Sequence, residues 1–169
     1  SEMCIRDRLD MAGQGRSFRR AAARFWPIWP IPDVVDEVHR VVFVDGIHLD
    51  RGLCVLIACT EEHVLSWYLA RSESTLAWRA LLRTVAPPEV VVTDGGSGFA
   101  SAAAAEWPAT RVQRCTFHAF CQVKRCTTSR PRLQAGIELY GLAQDLLGIR
   151  TLHQADLWAE RLVGWCGFW

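Results

Sequence analysis

The chain has 169 residues, half of them hydrophobic and 22% charged, with a formal net charge of +1. That suits one packed domain, with room for part of a second, and argues against global disorder. The near-zero charge names no partner, so any nucleic-acid surface has to come from local clustering.

Seven cysteines, an odd number, with no signal-peptide pattern and no apolar run of membrane-spanning length, fit reduced thiols in a cytosolic setting. The chain opens without methionine on residues 1–8, which lack periodicity and read as an artefact of sequence assembly. It stops on Trp165-Cys166-Gly167-Phe168-Trp169, an apolar end that leads us to expect further chain beyond it and an exposed apolar face near Trp158, Trp165 and Trp169.

Residues 17–26 read as a basic, alanine-rich helical piece with Arg19, Arg20 and Arg24. The Trp-Pro run at 26–32 blocks helix and predicts an extended lead-in, either a linker or an arm packed on the domain. Strand one is expected at 38–45, an apolar, β-branched run entering Asp45-Gly46. Apolar runs at 53–60 and 64–70, joined by short polar turns, complete a three-strand meander. Ser74 suits a helix N-cap, and Trp78, Leu81, Leu82 and Val85 share one helical face before Pro87-Pro88. Strand four runs to Asp94; Gly95, Gly96 and Gly98 predict a tight turn with Ser97 as cap, and Phe99, Ala103 and Trp107 a helical face. A fifth strand is expected at 110–115, and from Thr116 the chain reads helical. Leu139, Leu142, Ala143 and Leu146 form one stripe, Gly148 a stop, Thr151 to Gln154 a capping box, and Ala155, Trp158, Ala159 and Leu162 the next stripe. The order predicts an α/β fold: a ribonuclease-H-like mixed five-stranded sheet, a three-strand meander followed by βαβ units, flanked by helices.

Two strands that each end in Asp-Gly can bring Asp45 and Asp94 side by side, because strands one and four neighbour each other in such a sheet. Paired carboxylates repel unless a cation lies between them, and hard divalent cations take oxygen ligands. The competing reading is that both Asp-Gly pairs are turn signals only. Asp50, Glu61 and Glu62 are poorly placed to add to the pair, and His48, His63 and His153 need no catalytic role.

Cys115, His118, Cys121 and Cys126 follow at close spacing. They suit either core cysteines or a zinc site, although structural zinc ordinarily draws ligand pairs from separate elements. The block Val90-Val91-Val92-Thr93-Asp94-Gly95-Gly96, then a helix ending at Trp107-Pro108, then Gln113-Arg114-Cys115-Thr116-Phe117-His118, resembles the mutator-type DDE transposases of bacterial insertion sequences. The resemblance runs from about residue 38 to the end. It implies a ribonuclease-H-like catalytic core in which Asp45 and Asp94 ligate Mg2+ or Mn2+, and Cys115 and His118 support the active site. It also implies DNA as partner (transposon ends and target), self-association of the full-length protein, and a bacterial cytoplasmic, nucleoid-associated setting. The third acid of that family, a glutamate, follows a helical insertion. Glu106, Glu138 and Glu160 do not match it, and it is expected beyond Trp169. The chain then divides into a lead-in (1–37), a catalytic core (38–132) and the start of the insertion (133–169).

Arg111, Arg114, Lys124, Arg125, Arg130 and Arg132 form the local basic cluster, suited to phosphate contacts or to a solvated helix end. The expected function is a transposase core that cuts and joins DNA through metal-dependent phosphoryl transfer, incomplete without its third acid. A DNA-binding remnant, a stand-alone nuclease and a zinc module are the alternatives.

Overall fold

The computed structural model describes residue 20 and residues 32–169. The helical piece expected at 17–26 and the lead-in at 26–32 lie outside these residues, apart from Arg20 and Pro32. Contacts divide the chain into two compact units, one up to Gln113 and one spanning Arg114–Trp169.

The first unit holds the sheet. Its strands are β1 (Val41–Asp50), β2 (Leu53–Cys59), β3 (Val64–Ala70), β4 (Val90–Thr93) and β5 (Arg111–Arg114), in the order β3-β2-β1-β4-β5. β1 pairs antiparallel with β2 and β2 antiparallel with β3, which is the expected meander. β1 pairs parallel with β4, from Val41↔Val90 to Phe43↔Val92. The mixed sheet and its helices are consistent with a ribonuclease-H-like fold.

β1 differs from its expected bounds. It starts at Val41 and continues through Asp45 and Gly46 to Asp50, because β2 bonds to it along nearly its whole length. Asp45 therefore lies in mid-strand, opposite Ile57. The preceding segment adds one parallel bridge, Val35 to Val85.

Alternation sorts each strand into two faces. Val42 and Val44 of β1, Cys54, Leu56 and Ala58 of β2, and Val91 of β4 are buried on one of them. Helices α1 (Thr75–Leu82) and α2 (Ser97–Glu106) complete that core with Trp78, Leu81, Leu82, Phe99, Ala102 and Ala103, and with Trp107 just past α2. The Trp78 and Phe99 rings meet edge to face at 5.3 Å. Ser74 caps α1 as expected, accepting the Ala77 N–H at 3.3 Å. α2 corrects its expected cap: Gly96 is the N-cap, without a side-chain bond, and Ser97 is already helical.

The second unit contains α3 (Thr116–Thr127), α4 (Gln134–Leu146) and α5 (Leu152–Phe168). Phe120 of α3 packs on Tyr140 of α4 with centroids 5.8 Å apart. The capping box at Thr151 and Gln154 is formed in full. The apolar face expected to lie exposed at Trp158, Trp165 and Trp169 is corrected in part. Trp158 Nε1 donates to the Leu142 carbonyl at 2.7 Å and Trp165 Nε1 to the Ala135 carbonyl at 3.1 Å. A half-buried indole turns inward where its N–H finds an acceptor. The exposed large apolar groups of α5 are Leu152, Leu157, Val163 and Phe168, and Trp169 after the helix is exposed as expected. Among the described residues no helix is long and apolar enough to cross a membrane.

Candidate metal centre

Asp45 and Asp94 are set by strand register. Phe43 pairs with Val92. Carried two residues further, that register brings Asp45 level with Asp94, the first residue beyond β4. Neighbouring strands lie about 4.8 Å apart. Asp45 alternates with the buried Val44, and Asp94 with the buried Thr93. Both aspartates therefore occupy the sheet face away from α1 and α2, and both are partly buried.

The backbone after each aspartate orients it. The Gly46 N–H donates to Asp45 Oδ1 at 3.0 Å. The Gly96 N–H donates to Asp94 Oδ1 at 2.9 Å, with the Thr93 hydroxyl donating to the same oxygen at 3.4 Å. Gly95 makes this turn with φ near +90°, a conformation that suits glycine. Each carboxylate thus has one oxygen tied locally, and its Oδ2 makes none of these bonds. Burial first, and then the Asp45 carboxylate, push the Cys59 thiol above its ordinary value.

Two carboxylates, one within β1 and one just past the end of the neighbouring parallel β4, supply hard oxygen donors of the kind that fit a divalent cation such as magnesium or manganese. Among the described residues no group of three or more His, Cys, Asp or Glu side chains gathers around such a position. Glu106 is committed elsewhere: its Oε1 accepts from Arg79 at 2.6 Å and Arg83 at 3.0 Å. Those bonds, Arg83 first, hold its carboxyl below the ordinary carboxylate value. Glu138 accepts from Gln134 and Trp169, which lowers its carboxyl likewise.

One acid was missed in the sequence. Glu73, in the connection from β3 to α1, bonds through Oε1 to His48 Nε2 at 2.9 Å. A Cβ placed on Gly46 would run into its carboxyl group, and a Cβ on Gly98 into its carbonyl oxygen. Gly46 within the first Asp-Gly pair and Gly98 after the second were the available signal, since the absence of a side chain suits places where something approaches closely.

The other expected residues divide between the units. Arg111 lies exposed on β5, its N–H bonded to the Glu89 carbonyl at 3.0 Å. In the second unit Cys115 is the N-cap of α3 and His118 follows in its first turn. His118 Nδ1 is buried without a hydrogen-bond partner. Arg114 donates to Gln122 Oε1 at 2.9 Å. Lys124 lies 6.0 Å from the centre of the Phe120 ring. Lys124 and Arg125 are in the last turn of α3, and Arg130 and Arg132 lie exposed in the connection to α4. That connection contains Thr128 at φ 68°, the left-handed region.

The family model described as "Transposase, Mutator family" matches residues 37–135, more than half of the chain. No curated protein matches it.

Proposed function

Given that this chain belongs to the Mutator family of transposases, we propose that it is the metal-dependent catalytic core of a DDE transposase, carrying two of the three acids. The observation that supports this reading is the parallel β1–β4 register up to Phe43↔Val92, which, extended two residues along each chain, would bring Asp45 level with Asp94. Asp45 and Asp94 would hold the divalent cation, magnesium or manganese, which when bound would supply activation of a water or 3′-hydroxyl and stabilisation of the leaving oxygen.

The protein's own part is positioning and electrostatics. The Gly46 and Gly96 N–H groups hold Oδ1 of each aspartate, and those bonds do not use Oδ2. Arg111, Arg114, Lys124, Arg125, Arg130 and Arg132 contact phosphates of the transposon end and target without reading bases. Cys115 and His118 support the site. The overall reaction is hydrolysis of a phosphodiester at the element end, then attack of the freed 3′-hydroxyl on target DNA, with no covalent protein intermediate. The third acid of this family, a glutamate that follows a helical insertion, is matched by none of Glu106, Glu138 and Glu160. Copies of the protein are proposed to self-associate on DNA ends in the bacterial nucleoid.

Titration calorimetry with manganese tests the reading. The chain is expected to bind the ion, and Asp45→Asn or Asp94→Asn to weaken binding at least about tenfold, since each removes a charged ligand. Strand transfer by the chain alone is expected to be weak or absent. A chain that binds DNA yet is indifferent to manganese would be the non-catalytic, DNA-binding form of this fold.

A further inference from the structure

We propose that Glu73 is a positioning residue that braces the backbone under both aspartates from the helix side of the sheet. The inference rests on the metal-site reading above. Gly46 and His48 share the strand face opposite to Asp45. Glu73 stands on that side. Its carboxyl group packs against Gly46, whose N–H holds Asp45 Oδ1 at 3.0 Å. Its main-chain carbonyl packs against Gly98, in the first turn of α2, two residues after the Gly96 that holds Asp94 Oδ1 at 2.9 Å. One residue therefore backs the peptide that orients Asp45 and the first turn of the helix whose N-cap, Gly96, orients Asp94.

Glu73 is itself anchored. His48 Nε2 bonds to its Oε1 at 2.9 Å, and the next residue, Ser74, caps α1. The Glu73 carboxylate also lies close enough to Cys54 to add, after burial, to the upward push on that thiol, which places its charge over the β1–β2 pair. His48 and Cys54 are register partners in that pair. A side chain on Gly98 would meet the Glu73 main chain, and one on Gly46 would push the Glu73 carboxyl group aside. Supports of this kind typically change metal affinity about 10- to 100-fold when removed.

Two measurements separate this role from general stability. In manganese titrations, Glu73→Ala is expected to weaken binding at least about tenfold. Glu73→Gln keeps the shape and an oxygen for His48, and should restore most of the affinity. His48→Ala, a surface change, should shift affinity in the same direction as Glu73→Ala and covers the case in which Glu73→Ala does not fold. Thermal unfolding without metal supplies a double-mutant cycle. Gly46→Ala should lower Tm in the presence of Glu73, whose carboxyl group must swing aside and give up its His48 bond, and should lower it less in the Glu73→Ala background, where the new methyl takes the vacated space. If Asp45→Asn abolishes manganese binding while Glu73→Ala and His48→Ala leave it unchanged, the positioning role is overturned and the metal site stands. If the unaltered chain binds no manganese, the metal site falls and the role falls with it. An additive Tm cycle overturns the contact itself.

Discussion

Among single side chains, the proposed metal ligands differ from the structural acids in their partners. Among the described residues, Asp45 and Asp94 accept from main-chain N–H groups and a neighbouring hydroxyl. Glu106 is gripped by two guanidinium groups, Arg79 and Arg83, and its carboxyl is held below the ordinary value of 4.5. A lowered folded-state value stabilises above the unfolded value and is lost as pH falls through the folded one. The stability gap between the native chain and Glu106→Gln should therefore be full at neutral pH, persist down to 4.5 and close below it. Denaturant unfolding across that pH range checks it. The aspartates were legible because Asp-Gly after a β-branched run is a local pattern. Glu73 was not: its partners are His48 and two glycines far away in the chain, and no local pattern announces such a contact.

Secondary-structure elements followed the sequence closely wherever period and cap agreed. The α1 stripe of Trp78, Leu81 and Leu82 is buried, and the Thr151 capping box is complete. Periodicity failed at two places for physical reasons. The end of β1 was set by hydrogen bonding to β2 rather than by the acid and glycine within it. The tryptophans of α5 were expected to be exposed, yet Trp158 and Trp165 clasp main-chain carbonyls of α4. That clasp should matter to the helical hairpin. Trp158→Phe removes the donor and part of the ring, and is expected to cost about 2 kcal/mol of stability in denaturant unfolding.

For the molecule as a whole, a net charge of +1 leaves no long-range pull on DNA, so affinity must come from the local cluster around Lys124, Arg125, Arg130 and Arg132. Arg130→Ser should weaken binding to unrelated DNA sequences alike and reduce the slope of log affinity against log salt by about 1. Filter binding at several salt concentrations reads this directly. Fold class and family block were visible from element order and from the run ending at His118. The division into units at Gln113 and Arg114 was not, because contact density leaves no mark in local composition. The unequal lengths of β1 and β4 carry a last consequence, for chain-length variation. β1 runs on to Asp50 after β4 has stopped at Thr93, so Asp45 sits at a step, with ladder on one flank only. Extra residues at the Arg51-Gly52 tip lie past the step and should leave manganese affinity intact. One residue inserted between Val42 and Val44 should swing the carboxylate through the sheet onto the hydrophobic side and abolish it.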